Sequence, residues 1–160
     1  MKKLALLFFG LSLLVTTGCN NSNDIVIEEP IIGFWQPIKE VVTIVEVGEQ
    51  PISDVITYTE CQKQSRWWFN TEIAGKRIDV EDPVTGPDCN ILPDKNFTYS
   101  YDKSSKALTM KYQGVVLPES GKVVTLDATT LNLSIKVDTE DPEVYKTRTI
   151  TFRRVNPSKS

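Results

Sequence analysis

Apolar and polar side chains alternate in short runs along most of this chain. From Asn96 to Tyr101 the period is two, with Phe97, Tyr99 and Tyr101 on one side and Thr98 and Ser100 on the other, the signature of a half-buried strand. The polar run Asp102-Lys103-Ser104-Ser105-Lys106 turns the chain. Leu108, Met110 and Tyr112 then alternate against Thr109 and Lys111, which predicts a hairpin. Lys122 to Leu126 is a further strand, and Leu131, Leu133, Ile135 and Val137 alternate with Asn132, Ser134 and Lys136 in the next. The acidic stretch Asp138 to Glu143, with Pro142, turns the chain into a last strand from Val144 to Val155, rich in Thr, Ile and Phe.

The earlier half is less regular. Ile32 to Val47 is a β-branched run long enough to require a bend or a bulge. Ser53 to Thr59 and Ser65 to Asn70 read as the next two strands, and Gly75 marks a turn before Lys76 to Val80. Pro83, Gly86, Pro87 and Pro93 make the surroundings of Cys89 a loop. No segment carries helical periodicity. Eight or nine short strands joined by turns fit an antiparallel sandwich or a barrel. Up-and-down order favours a closed antiparallel β-barrel of about eight strands, which also leaves no sheet edge exposed.

The N-terminus has a different character. Lys2 and Lys3 precede an apolar run from Leu4 to Val15, the layout of an export signal over residues 1–18. That run is shorter than the ~20 apolar residues a membrane-spanning helix needs. Thr16, Thr17 and Gly18 lead into Cys19, a sequence that resembles the lipobox of bacterial lipoproteins, with Thr16 where Leu is commonest. The resemblance implies cleavage before Cys19 and a membrane anchor through lipid on that residue. Two or three acyl chains hold a protein stably where one is marginal. Asn20-Asn21-Ser22-Asn23-Asp24 begins a polar tether over residues 19–30. Asn20, in place of the Asp that retains many lipoproteins at the inner membrane, favours a lipid-anchored position in the cell envelope at the outer membrane.

Charge and residue usage narrow the chemistry. The net charge of −3 becomes −5 once Lys2 and Lys3 are removed, so no nucleic-acid partner is expected. With Cys19 lipidated, Cys61 and Cys89 remain as a pair in an oxidising compartment. A bridge between them closes a loop of about 29 residues and contributes very roughly 3–4 kcal/mol on the chain-entropy model. The chain contains no histidine, which removes Ser-His and Cys-His catalysis, histidine metal ligands and the usual general base near neutral pH. The acidic groups Asp79, Glu81, Asp82 and Asp138, Glu140, Asp141, Glu143 read as solvated connections. They lack the spacing of a calcium loop. Neither an enzyme, nor a metal site, nor a cofactor is expected.

Gly33-Phe34-Trp35 stands at the start of the first long strand. This Gly-x-Trp resembles the lipocalin and calycin pattern, in which the Trp plugs one end of an eight-stranded barrel and an Arg of the final strand packs over it. Parity with Ile150 and Phe152 makes Arg154, rather than Arg153, that residue. The order of lipid-anchored Cys, tether, Gly-x-Trp, Cys pair, aromatic strand and closing basic strand is similar to lipocalin-like domains of small bacterial lipoproteins, here over residues 31–157. The resemblance implies a pocket for a small hydrophobic ligand. Trp67, Phe69, Tyr99, Tyr101, Met110 and Tyr112 are its candidate walls, although so many aromatics lean towards a nearly filled interior. The alternative is a filled barrel acting on an envelope protein, as an inhibitor or accessory subunit, through an apolar patch near Trp68.

Overall fold

The computed structural model describes residues 30–156; the signal segment, Cys19 and the tether to residue 29 lie outside them. The first strand, β1 (Gly33–Glu46), is the longest. It carries a register shift between Pro37 and Lys39 where it pairs with the last strand, the bulge that its length requires. The chain returns through β2 (Ile52–Thr57), a three-residue 3-10 turn at Gln62–Gln64, and β3 (Arg66–Phe69). Both β2 and β3 pair antiparallel with β1, at Lys39–Ile44 and Gly33–Trp35 respectively. They are therefore two halves of one strand position, split by the segment that holds Cys61.

Next come β4 (Ala74–Ile78), the short pair β5 (Val80–Glu81) and β6 (Asn90–Ile91), then β7 (Lys95–Asp102) and β8 (Ala107–Tyr112). The chain ends with β9 (Glu119–Leu126), β10 (Thr130–Val137) and β11 (Val144–Val155). Neighbours run in the order β1-β3-β4-β7-β8-β9-β10-β11, and β11 pairs back onto β1. The result is a closed eight-stranded antiparallel barrel. Strand limits follow the alternation closely, because a slip of one residue would turn each apolar side chain outwards.

Gly75 departs from the sequence reading. It lies inside β4, opposite Phe97, and the turn falls earlier, at residues 70–73. A Cβ on Gly75 would stand 2.3 Å from the Phe97 ring, so glycine is there to let that ring cross the strand. The segment around Cys89 is a loop with the small β5–β6 ladder added.

The core runs through the barrel. Phe69 meets Tyr99 edge-on at 4.9 Å and Phe97 at 5.4 Å, and Phe97 meets Tyr112 at 5.5 Å. Leu108, Met110, Leu131, Leu133, Ile150 and Phe152 fill the space between. Strand direction defines two ends: the start of β1 and the turns at 70–73, 103–106 and 127–129 share one, and the connections at 47–51, 79–94, 113–118 and 138–143 share the other.

The first end is sealed. Trp35 is fully buried and its Nε1 donates to the Ile31 carbonyl at 2.8 Å. The Arg154 guanidinium lies 4.3 Å above the indole and donates to the carbonyls of Ile32 and Pro30. Gly33 has φ +147°, and a Cβ there would lie 2.7 Å from Arg154 Nη1. The glycine is thus what admits the guanidinium. Trp35→Ala is expected to destabilise the domain by roughly 3 kcal/mol or more; a near-neutral midpoint in urea unfolding would deny Trp35 this role.

Candidate functional site

The opposite end, the mouth, is open and ionic. A cleft of about 300 Å³ is lined by Glu40 of β1, Tyr58, Trp67 of β3, Arg77 of β4, Asp79, Lys95 of β7, and Arg148 and Ile150 of β11, among others. Its floor is the Trp67 indole, itself packed against Phe152 at 5.1 Å. Above the indole, at 4.6 Å, lies the Arg77 guanidinium. Arg77 Nε donates to Asp79 at 2.6 Å and Nη1 to the Tyr112 hydroxyl at 3.4 Å, while Lys95 donates to the second Asp79 oxygen at 3.0 Å. Burial raises the Asp79 carboxyl, but Arg77 and Lys95 outweigh it and hold the group below the usual carboxylate range.

Across the cleft the Tyr58 hydroxyl donates to Glu40 at 2.7 Å. Burial, reinforced by that hydrogen bond and the Glu40 charge, pushes the phenol well above its ordinary value. Arg148 completes this side. Its Nε stands 3.7 Å from Glu40, an ion pair too long for a hydrogen bond, and finds no acceptor. Three cations and three carboxylates, Glu81 being the third, therefore face one cleft, with Arg77 and Asp79 bound to each other and Arg148 the least engaged.

The disulfide stands beside this site. Cys61 and Cys89 are bridged, with Cα atoms 5.4 Å apart. The bridge ties the segment between β2 and β3 to the long 79–94 connection, as do the Thr59 hydroxyl donating to Asp82 at 2.6 Å and the Ser65 hydroxyl accepting from Val80 N–H at 2.9 Å.

Of the six aromatic and methionine side chains expected to wall a pocket, Trp67 alone lines this cleft. Phe69 and Met110 are packing residues with almost no exposure. Tyr99 and Tyr101 sit at the sealed end, in a groove with Ile31, Ile32 and Ile73, and the Tyr99 hydroxyl donates to the Thr71 carbonyl. Tyr112 packs on Phe97 and offers its hydroxyl to Arg77. Trp68 lies on the outer wall, stacked on Phe34 at 4.9 Å.

The ionic residues of the mouth escaped the sequence reading. Arg148 had a usable signal, since it shares parity with Ile150 and Phe152 just as Arg154 does. Glu40 did not, because the bulge after Pro37 inverts the alternation beyond it. Asp79, taken with Glu81 and Asp82 as a solvated connection, is instead half-buried and paired, while its two neighbours are exposed. Among the described residues no cluster of His, Cys, Asp or Glu is placed to hold a metal ion.

A lipocalin-like domain family matches residues 31–133, and the chain belongs to that family. Among solved structures, lobster apocrustacyanin A1 is similar at 14% identity and a TM-score of 0.47, over 80% of this chain and 63% of the other. A deswapped triple mutant of bovine odorant binding protein is similar at 11% identity and a TM-score of 0.38, over 80% of this chain and 76% of the other. The chain thus spans less than two thirds of the crustacyanin chain. No curated protein matches the sequence.

Two outcomes are expected at this end of the barrel. Reduction of the Cys61–Cys89 bridge lowers the melting temperature by several degrees; unchanged melting would show that the bridge contributes nothing to stability. The Asp79 carboxyl has a lowered folded pKa, so its contribution is present above the unfolded value of about 4 and is lost as pH falls through the folded value. Asp79→Asn is accordingly expected to cost about 2 kcal/mol near neutral pH, by leaving Arg77 without its counter-ion. The acid limb of the stability profile then becomes shallower, and an unchanged limb would assign it to other carboxylates.

Proposed function

We propose that this chain is a lipoprotein anchored in the cell envelope through Cys19, at the outer membrane, whose barrel takes a small ligand into its mouth. The lipobox-like sequence and Asn20 support the anchor and its place. Membership of the lipocalin-like family supports a binding role rather than catalysis, as does the lack of histidine. The observation that carries the reading is the cleft over Trp67. Below it the barrel is filled, so a ligand is confined to about 300 Å³ at the mouth, the lower end of ordinary ligand pockets. The hydrophobic ligand implied by the fold is therefore a short amphiphile here. Its apolar body rests on Trp67 and Ile150, and its polar group meets Arg148 and Glu40.

The second reading, an accessory or inhibitory lipoprotein acting on another envelope protein, draws support from the mouth connections. Val84, Ile91, Val115, Val116 and Leu117 are all exposed there.

Native mass spectrometry of the chain carrying Cys19→Ser, purified from a bacterial envelope, separates the two. A reproducible extra mass lost on denaturation is expected, and Arg148→Ala is expected to weaken its retention about tenfold, the loss of one charge-assisted hydrogen bond. Adduct-free spectra from every preparation would overturn the ligand reading in favour of the second.

A further inference from the structure

The barrel is closed, yet one strand keeps a free edge. Among the described residues β2 pairs with β1 alone, and no strand lies on its other side. The Tyr58 N–H donates to the Ile38 carbonyl, which fixes the phase of this ladder. In an antiparallel pair the residues that exchange hydrogen bonds alternate with residues whose main chain points away. Ile52, Asp54 and Ile56 thus face β1, and Ser53, Val55 and Thr57 direct three N–H and three C=O groups outwards. Among the described residues nothing covers them, since all six residues of β2 are exposed, Ile52 by 65% and Val55 by 66%.

Such edges are usually blunted by Lys, Pro or a bulge. β2 has none of these within Ile52–Thr57. Its surroundings are mainly acidic, although Lys39 lies opposite Thr57 on β1 and Glu60, Asp79 and Asp94 are already paired with basic side chains. Residues 46–60, which contain β2, hold Glu46, Glu49, Asp54 and Glu60 and no Lys or Arg; residues 78–94 hold five more carboxylates and again no Lys or Arg. The Thr59–Asp82 hydrogen bond and the disulfide bring the second segment against the end of β2.

We propose that the free edge of β2 receives an extended, basic segment of a partner protein as an added strand. Recognition comes from the main chain, through the groups of Ser53, Val55 and Thr57. Selectivity comes from the carboxylates around the edge and from the exposed Ile52 and Ile56, which share one face of the strand and suit the β-branched face of a segment alternating basic and β-branched residues. A second copy of this chain fits less well, because pairing two such edges brings two acidic surfaces together. The surface is separate from the mouth cleft and does not depend on a ligand there.

The test uses the full chain in detergent micelles and an end-blocked, fluorescein-labelled peptide of alternating Lys and Val, followed by anisotropy. Expected is saturable binding, weakened about tenfold when Glu replaces Lys in the peptide. It is lost when the peptide nitrogens that face β2 are methylated. Val55→Pro removes one outward N–H and leaves the β1 ladder intact, as proline at an exposed strand edge can; a further loss of about tenfold is expected. The methylated peptide tests the same contact on unaltered protein, so a destabilised variant cannot mask the result. Equal binding of methylated and unmethylated peptides, equal binding of Lys and Glu peptides, or no binding of the Lys peptide overturns the proposal. Sedimentation showing a dimer that Val55→Pro dissolves would also overturn it, by making the occupant a second copy.

Discussion

The meeting of the first and last strands under one stacked pair, Trp35 and Arg154, is the contact on which the rest of the barrel depends. Closing a sheet removes its edges, but it leaves the start of β1 with carbonyl groups that no strand can use. Arg154 takes two of them, from Pro30 and Ile32, and the Trp35 indole takes that of Ile31 between them. The same guanidinium covers the aromatic face that would otherwise meet water. Polar satisfaction, apolar burial and strand registration are thus met by one arrangement, which only a glycine at position 33 leaves room for.

From this sealed end upwards the interior changes character by layers. The lower part holds Trp35, Phe152 and the aromatic cluster of Phe69, Phe97, Tyr99 and Tyr112, and above Trp67 the side chains become ionic. Aromatic rings bury much area with few rotatable bonds and accept edge-on neighbours, so this apolar part packs closely. Charges facing the inside of a barrel must be paired or reach water. Arg77 is paired twice and braced on an indole, whereas Arg148 has only a long contact with Glu40. The mouth is thus already arranged for charge.

The split second strand accounts for several features together. Its lower half, β3, completes the barrel wall; its upper half, β2, follows the long β1 beyond the point where β4 turns away into the 79–94 connection. The segment between the halves carries Cys61, and the disulfide fastens it to that connection beside the cleft. One interruption therefore produces the free edge, the lateral wall of the mouth and the place where the bridge is needed.

Strand number, order and the barrel itself could be read from the sequence, because period-two alternation directly records which side of each strand meets the core. Parity alone put Arg154 rather than Arg153 on the face of Trp35, and reading Cys19 as the lipid-bearing residue left Cys61 and Cys89 as the pair that the structure bridges. What the alternation could not carry was the third dimension of the interior. Phe69, Tyr99 and Met110 face inwards whether they line a cavity or fill one, and only the opposing rings decide that they fill it. Gly75 looked like a turn until Phe97 was found across it, and Asp79 looked solvated until Arg77 and Lys95 stood beside it. Glu40 was hidden by a single bulge, which reverses the meaning of every position after it. Local sequence determined which face each residue takes; the tertiary structure decided what that face meets, because burial and charge pairing depend on strands far apart in the chain.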